Sequence, residues 1–390
     1  MRYGFLRHAI LTLALCIASG ATWAFDTKAT AAFVYDVNTD TVLLAKNADA
    51  PMPPASMSKL MTVYMAFEAV KSGRLTLETK LPVSQHAMNY KGSTMFLDTT
   101  DRVTVTDLLR GIIVLSGNDA SAVIAEALSP TGTEQGFADL MTKRARELGM
   151  TQSTFANSNG WPAPNHRMSM RDLVTLSQAL IRDFPELYKI FGETSFAFDN
   201  RAPKNVRNRN PLLYLNIGAD GLKTGHTSEA GYGLAGSVVQ GDRRVIFAFT
   251  GLNSEQERAA EAEAIVNWAF RTFSEAQLAT PGQILAQAPV WMGDTKTIGL
   301  TVKEPLTMLI AAYASTAPEA KVTFQSPLLP PLSVDTPVAT MTIHTDGIAE
   351  GRSVDLYPAQ SVDTGGFGAR IGASARYLMD RFMTKLPEAS

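Results

Sequence analysis

Ser56-Met57-Ser58-Lys59 is the only Ser-x-x-Lys in the chain, and it stands where a helix should begin after Pro53-Pro54. On a helix a three-residue step stacks one side chain over the other, which brings the Lys59 amine within reach of the Ser56 hydroxyl. A serine hydroxyl is a poor nucleophile until a base removes its proton. Lysine can be that base where burial or a neighbouring cation lowers its pKa enough to leave the amine neutral. The start of a helix adds unpaired N–H groups that favour negative charge on the group under attack. Ser58 is read as a packing or capping serine. Alone the tetrapeptide is a weak signal, because at average composition a chance match in a chain this long is about as common as not.

Two later segments strengthen it. Ser116-Gly117-Asn118 ends one helical stretch before another begins near Asp119. Lys223-Thr224-Gly225 follows Asp220-Gly221 and precedes His226-Thr227 at a strand-like position. Each would pass alone, the first as a turn and cap, the second as a plain edge strand. Three matches in this order, each in suitable local structure, are too specific for coincidence. Other chemistries find less support. There is no Gly-x-x-x-x-Gly-Lys phosphate loop and no His-Glu-x-x-His zinc helix. His8, His86, His166, His226 and His344 are scattered, and no Gly-x-Ser-x-Gly elbow supports a Ser-His-Asp triad. Neither a cofactor nor a metal is expected.

The elements that must position these residues are legible as patterns. Residues 31–45 read as two short strands around Asn38-Thr39-Asp40, a hairpin signal. Residues 56–70 have helical spacing, with Met57, Leu60, Met61, Tyr64 and Met65 on one side and Gly73 closing the helix. Further helices are predicted at 105–116, 120–128, 136–148, 170–183 and 257–273, and adjacent strands at 232–239 and 244–251. This assortment is α+β with an antiparallel sheet, placed at 25–277. From 278 to 362 short strand-like runs alternate with turns, and Asp346-Gly347 is read as a hairpin turn, so this part is a small all-β domain.

Both ends carry targeting patterns. Arg2 and Arg7 precede an apolar run from Ala9 to Ala18 and then small residues up to Ala24, which describes a secretory signal peptide over 1–24. Cys16, the single cysteine, falls inside it, and the bulky Leu15 before it argues against a lipoprotein signal. One cysteine also excludes an intramolecular disulfide framework and thiolate zinc sites. The whole chain has 35 basic and 37 acidic residues, and without the leader 33 basic remain, a formal −4, so nucleic acid is not an expected partner. In 363–390, Phe367, Ile371, Ala375, Leu378, Phe382 and Leu386 share a helical face flanked by Arg370, Arg376, Arg381 and Lys385. Such a helix reads either as an in-plane membrane anchor or as a helix docked on protein.

Together these residues resemble the low-molecular-mass penicillin-binding proteins, specifically the D-alanyl-D-alanine carboxypeptidases with a β-rich C-terminal domain and an amphipathic tail. Beyond the three motifs the resemblance includes Lys91-Gly92-Ser93 ahead of Met95-Phe96, Asn208-Arg209-Asn210, Asp220 through Thr227, and Arg258 with Glu261. It implies a β-lactamase/transpeptidase-like catalytic domain. Ser56 would attack the carbonyl between the two terminal D-alanines of a peptidoglycan stem peptide, and Lys59 would take its proton. Backbone N–H groups of Ser56 and His226 would hold the oxyanion. Ser116 would relay a proton to the departing amine, with Lys223 tuning it, and Asn118 would hold Lys59 and the substrate amide. The strand carrying Gly225 would pair with the peptide, and Thr224, Arg258 and Arg209 would meet its carboxylate. The resemblance further implies β-lactams as covalent inhibitors and a periplasmic enzyme anchored to the outer face of the inner membrane. A class A β-lactamase fits less well, because no Glu-x-x-x-Asn lies between Asn118 and Lys223 and Gly117 replaces the usual aspartate. A D,D-endopeptidase on the same machinery and a catalytically idle peptidoglycan or β-lactam sensor are the remaining alternatives.

Overall fold

The computed structural model describes residues 25–201, 203–312, 318–367 and 371. The expected leader with Cys16 lies outside the described residues, as does nearly all of the expected amphipathic tail; Phe367 and Ile371, at its start, are exposed.

β1 (Ala31–Asp36) and β2 (Thr41–Lys46) form the predicted hairpin. The Asp36 carboxylate accepts the Thr39 N–H and hydroxyl inside the turn and pairs with Arg243, which ties the hairpin to the main sheet. Spacing predicts one α-helix over 56–70, but the chain first makes a tight 3-10 turn, Ala55–Ser58, and only then α1 (Lys59–Lys71). Ala55 sits at φ +48°, outside any α-helix, and the regular ladder starts after Ser58. α1 is buried on nearly every side, from Leu60 to Phe67, which makes it the central helix of the domain. Phe67 anchors it edge-on against Phe184 and Phe191, with ring centroids 5.6 and 6.4 Å away.

Around α1 lie β3 (Lys80–Pro82), α2 (Gln85–Met88), β4 (Arg102–Thr104), α3 (Val105–Ile113), α4 (Asn118–Leu128), α5 (Glu134–Glu147), α6 (Met170–Asp183) and α7 (Pro185–Tyr188). α3, α5 and α6 start at side-chain caps: Thr104, Thr133 and Ser169 accept the N–H groups of Asp107, Gly136 and Asp172. The helix predicted to 116 ends at Ile113, and Ser116 occupies the link to α4 with φ +63°.

β5 (Ala219–Thr227), β6 (Gly231–Gln240) and β7 (Arg243–Leu252) complete an antiparallel sheet of order β2-β1-β7-β6-β5, followed by α8 (Glu255–Thr272). Successive side chains take opposite faces of this sheet. Phe33, Ile246 and Ala248 join the core around α1, while Val34, Phe247 and Phe249 pack with Ala262, Ile265 and Ala269 of α8. β5 is left as an edge strand, and its Gly225 face meets the Ala55–Ser58 turn.

β8 (Phe273–Ala279) follows α8 directly; Phe273, predicted as the helix end, is its first residue. The β-rich part continues with β9 (Ala286–Pro289), β10 (Thr297–Thr301), β11 (Leu306–Ala311), β12 (Glu319–Phe324), β13 (Ala339–His344) and β14 (Arg352–Pro358). Five of these strands form a sheet of order β12-β13-β14-β10-β9, and β8 pairs with β11. That pair joins the two cores: Phe273 and Leu309 pack beside α8, whereas Ala279, Leu306 and Met308 belong to the β-rich core. Asp346-Gly347 turns in the hairpin connection between the antiparallel β13 and β14, as expected, and the link, residues 345–351, brings Glu350 to 2.6 Å from Arg171 of the helical layer.

Candidate active site

The Lys59 amine makes three hydrogen bonds, to Ser56 Oγ at 2.8 Å, to Asn118 Oδ1 at 2.7 Å and to the Asn159 carbonyl at 2.6 Å. Lys59 is 0% exposed, and no carboxylate is bonded to its amine. Burial, and then the Arg209 charge, outweigh the pull of Asp119 and Glu134 and lower its pKa to about 7. A three-residue step from a 3-10 turn into a helix therefore yields the contact that an unbroken α-helix was expected to give. Asn118 is held in turn: its amide donates to the Lys91 carbonyl at 2.7 Å, and its N–H to that of Ser93 at 2.7 Å. Ser116 is buried two residues away, but among the described residues no hydrogen bond joins its hydroxyl to this trio.

Residues without a sequence-assigned role hold Lys59 in place. The Asn159 carbonyl sits on a loop fixed by Glu134, which accepts hydrogen bonds from the Ser158 N–H (2.9 Å), the Ser158 and Tyr90 hydroxyls, and the His86 Nε2–H (2.7 Å). Burial pushes the Glu134 carboxyl up, but these bonds prevail and hold it below its ordinary pKa. Asp119 accepts the N–H groups of Met95, Leu97 and Ala120 and so shapes the segment that carries Ser93. Ser58 neither caps a helix nor merely packs. The His166 Nδ1 accepts the Ala156 N–H, so Nε2 carries the proton and donates to Ser58 Oγ at 2.7 Å. Burial, with Lys59 nearby, lowers His166 to about 4, which keeps the ring neutral. A helix-start Thr-Glu and a turn-rich Asn157-Ser158-Asn159-Gly160 were the available signals for this loop, and neither marks a contact 100 residues away.

The Lys223–Thr227 end of β5 faces the Ala55–Ser58 turn. A Cβ on Gly225 would stand 3.0 Å from the Pro54 carbonyl and 3.2 Å from Ala55 Cβ, so only glycine lets the strand come this near. Lys223 shares that face of β5. Burial, then Lys59, Arg209 and Arg258, press its pKa well down. On the opposite face His226 stacks on Tyr232 at 3.8 Å, and the buried Arg258 lies over the same Tyr232 ring. Arg258 has Glu255 only at 3.7 Å, and its Nε is buried with no hydrogen-bond partner. Arg209 donates to Ser93 Oγ at 2.6 Å and to Asn205. Thr224 is buried on the strand between Lys223 and Gly225. Lys223, Arg209 and Arg258 thus form a cationic neighbourhood short of anions, one that a ligand carboxylate would complete. Among the described residues no group of His, Cys, Asp and Glu side chains is arranged to hold a metal.

Residues 18–253 match the family described as D-alanyl-D-alanine carboxypeptidase, and residues 273–364 match the penicillin-binding protein 5 C-terminal domain. The chain therefore belongs to the D-alanyl-D-alanine carboxypeptidase family. It is 34% identical over 342 residues to the D-alanyl-D-alanine carboxypeptidase DacC of Escherichia coli, covering 85% of this chain and 83% of that one. Among solved structures it is similar to penicillin-binding protein 5 from Haemophilus influenzae, with TM-score 0.71, 30% identity and coverage of 87% and 99% of the two chains. It is also similar to penicillin-binding protein D2 from Listeria monocytogenes in its ampicillin-bound form, with TM-score 0.56, 31% identity and coverage of 62% and 97%.

Gly160 offers a direct check on how this site is braced. It has φ +81°, and a Cβ there would fall 1.8 Å from the Ala55 carbonyl and 3.2 Å from Ser56 N. Gly160→Ala is expected to slow acylation by benzylpenicillin by about a hundredfold, the scale of a 1 Å misplacement. Stopped-flow fluorescence measures it, and an unchanged rate would contradict the close approach.

Proposed function

We propose that Ser56 is the nucleophile and Lys59 the general base of this serine-type D-alanyl-D-alanine carboxypeptidase, acting on the terminal D-Ala-D-Ala of peptidoglycan stem peptides. The observation that carries this reading is the buried Lys59 amine, lowered to about 7 and hydrogen-bonded to Ser56 Oγ. A neutral amine there can take the hydroxyl proton as Oγ attacks the carbonyl between the two D-alanines. The oxyanion is then held by the N–H groups of Ser56 and His226, and each such donor is worth about two to three orders of magnitude in rate. Ser116 passes a proton to the departing D-alanine amine under the influence of Lys223. Asn118 keeps Lys59 in line and binds the substrate amide. The peptide adds to β5 as a further strand, which its edge position supports. Thr224, Arg258 and Arg209 take the terminal carboxylate, in keeping with the excess of positive charge there. Water then attacks the Ser56 ester, gives its proton back through Lys59 and frees the shortened stem. β-Lactams would acylate the same serine and leave slowly; ampicillin binding by the Listeria D2 protein supports this.

For this mechanism kcat/KM for D-alanine release from a diacyl-Lys-D-Ala-D-Ala peptide should rise through pH 7, as Lys59 loses its proton, and Ser56→Ala should abolish release. A flat profile from pH 5 to 9, or residual turnover by Ser56→Ala, would contradict the assignment.

We also infer export across the cytoplasmic membrane and in-plane anchoring to its outer face by 363–390. The leader pattern of 1–24 and the basic amphipathic spacing of the tail support this. A chain ending at Val362 should still release D-alanine yet leave the membrane pellet on centrifugation. Continued sedimentation with membranes would contradict the anchor.

A further inference from the structure

One buried carboxylate takes no step in the mechanism above, yet it holds the residue next to a group bonded to Lys59. Glu134 opens α5 beside its Thr133 cap, where the helix dipole favours an anion. It is 8% exposed, and two segments of the chain supply donors to its oxygens. Oε1 accepts the Ser158 N–H at 2.9 Å and the Ser158 hydroxyl. Oε2 accepts the Tyr90 hydroxyl at 2.6 Å and the His86 Nε2–H at 2.7 Å. A glutamate so supplied with donors stays ionised despite its burial.

Ser158 is held at three points. Its N–H and hydroxyl go to Glu134, and its carbonyl accepts the Thr62 hydroxyl of α1 at 2.6 Å. The next residue, Asn159, offers its carbonyl to the Lys59 amine at 2.6 Å. The one after, Gly160, lies against the nucleophile's turn, where a Cβ would fall 1.8 Å from the Ala55 carbonyl. Three consecutive residues thus connect Glu134 to both Lys59 and the turn that carries Ser56. The Asn159 carbonyl has a specific use. A neutral amine has two N–H groups and one lone pair. With the N–H groups given to Asn118 Oδ1 and the Asn159 carbonyl, the lone pair is left facing the Ser56 hydroxyl at 2.8 Å. An amine that lost the carbonyl could turn an N–H toward Ser56 instead, and would then be unable to take its proton.

We propose that Glu134 is a positioning residue for this proton transfer, acting through Ser158 and the Asn159 carbonyl to aim the Lys59 lone pair at Ser56. The inference rests on the assignment of Ser56 and Lys59 given above, and Glu134 itself touches neither substrate nor reacting atoms. Its charge has a separate effect. With Asp119 it raises the pKa of Lys59, against burial and Arg209, which lower it. Lys223 of β5 and the neutral His166 ring also lie near that amine. Removing the anion while keeping the hydrogen bonds therefore shifts when Lys59 ionises without changing where it points.

The test follows D-alanine release from the diacyl-Lys-D-Ala-D-Ala peptide by the full chain. End-point titration with benzylpenicillin counts folded active sites in every variant. Glu134→Gln keeps an oxygen for Ser158 and can donate its amide to Tyr90 and His86, but carries no charge. It should retain the plateau kcat at alkaline pH, while the rise of kcat/KM moves to lower pH than in the wild type. Glu134→Ala releases the loop, so kcat and kcat/KM should fall together by about a hundredfold, the scale of a 1 Å misplacement. Ser158→Ala should cost less, and should add nothing further in the Glu134→Ala background. Should Glu134→Ala take up no benzylpenicillin, the Glu134→Gln profile decides. Undiminished kcat in folded Glu134→Ala, additive losses in the double variant, or a Glu134→Gln profile coincident with the wild type would overturn the inference and leave Ser56 and Lys59 as assigned. A wild-type kcat/KM that does not rise through pH 7 would overturn that assignment, and the inference with it.

Discussion

An amine removed from water is the constraint on which the rest of this structure depends. Lys59 is fully buried on the central helix, and its amine has three oxygen acceptors, none of them a carboxylate. A charged ammonium in such a place is unfavourable, so the neutral form gains ground and becomes able to accept a proton. The surroundings keep it there without neutralising it by direct pairing. Asp119 and Glu134 lie close enough to pull its pKa up, but each is occupied by hydrogen bonds to loop groups. Moving either carboxylate onto Lys59 would lock the base in its protonated form.

The same economy governs the other side of the cleft. β5 lies against the Ala55–Ser58 turn, which requires Gly225, and it keeps an unpaired edge because the sheet ends there. An exposed strand edge is normally an aggregation hazard. Here the edge lies beside the Ala55–Ser58 turn that the Gly225 face packs on, and in the proposed mechanism an extended peptide substrate pairs with it. Arg258 and Arg209, buried near it, repel one another, and in the proposed mechanism a substrate carboxylate would relieve that repulsion.

How much of this was legible in the sequence depended on whether the signal was local. Ser56 and Lys59 lie three residues apart, and Lys223, Thr224 and Gly225 are contiguous, so helix and strand geometry alone relate them. The α+β class and the separate β-rich part followed from periodicity and turn residues. The loop that completes the base's environment was not readable, because Glu134, Ser158 and Asn159 meet Lys59 only through tertiary packing. The tight turn at Ala55–Ser58 was missed for a similar reason: it has a positive φ at Ala55, and the Gly160 backbone, 105 residues away in sequence, lies against the Ala55 carbonyl. Short elements such as α2 and α7 carry too few residues to show a period. β8 was hidden because Phe273 continues the apolar spacing of α8. Ser58 looked like a cap from its position, but its partner, His166, is 108 residues away.

The central claim, that Lys59 is a neutral base near neutral pH, is accessible to direct titration. In protein carrying 15N-labelled lysine, the Nζ resonance of Lys59 can be assigned by its loss in Lys59→Arg and followed with pH by NMR. The burial described here requires an apparent pKa near 7 for that signal. A signal that titrates at the ordinary lysine value of 10.5 would contradict it.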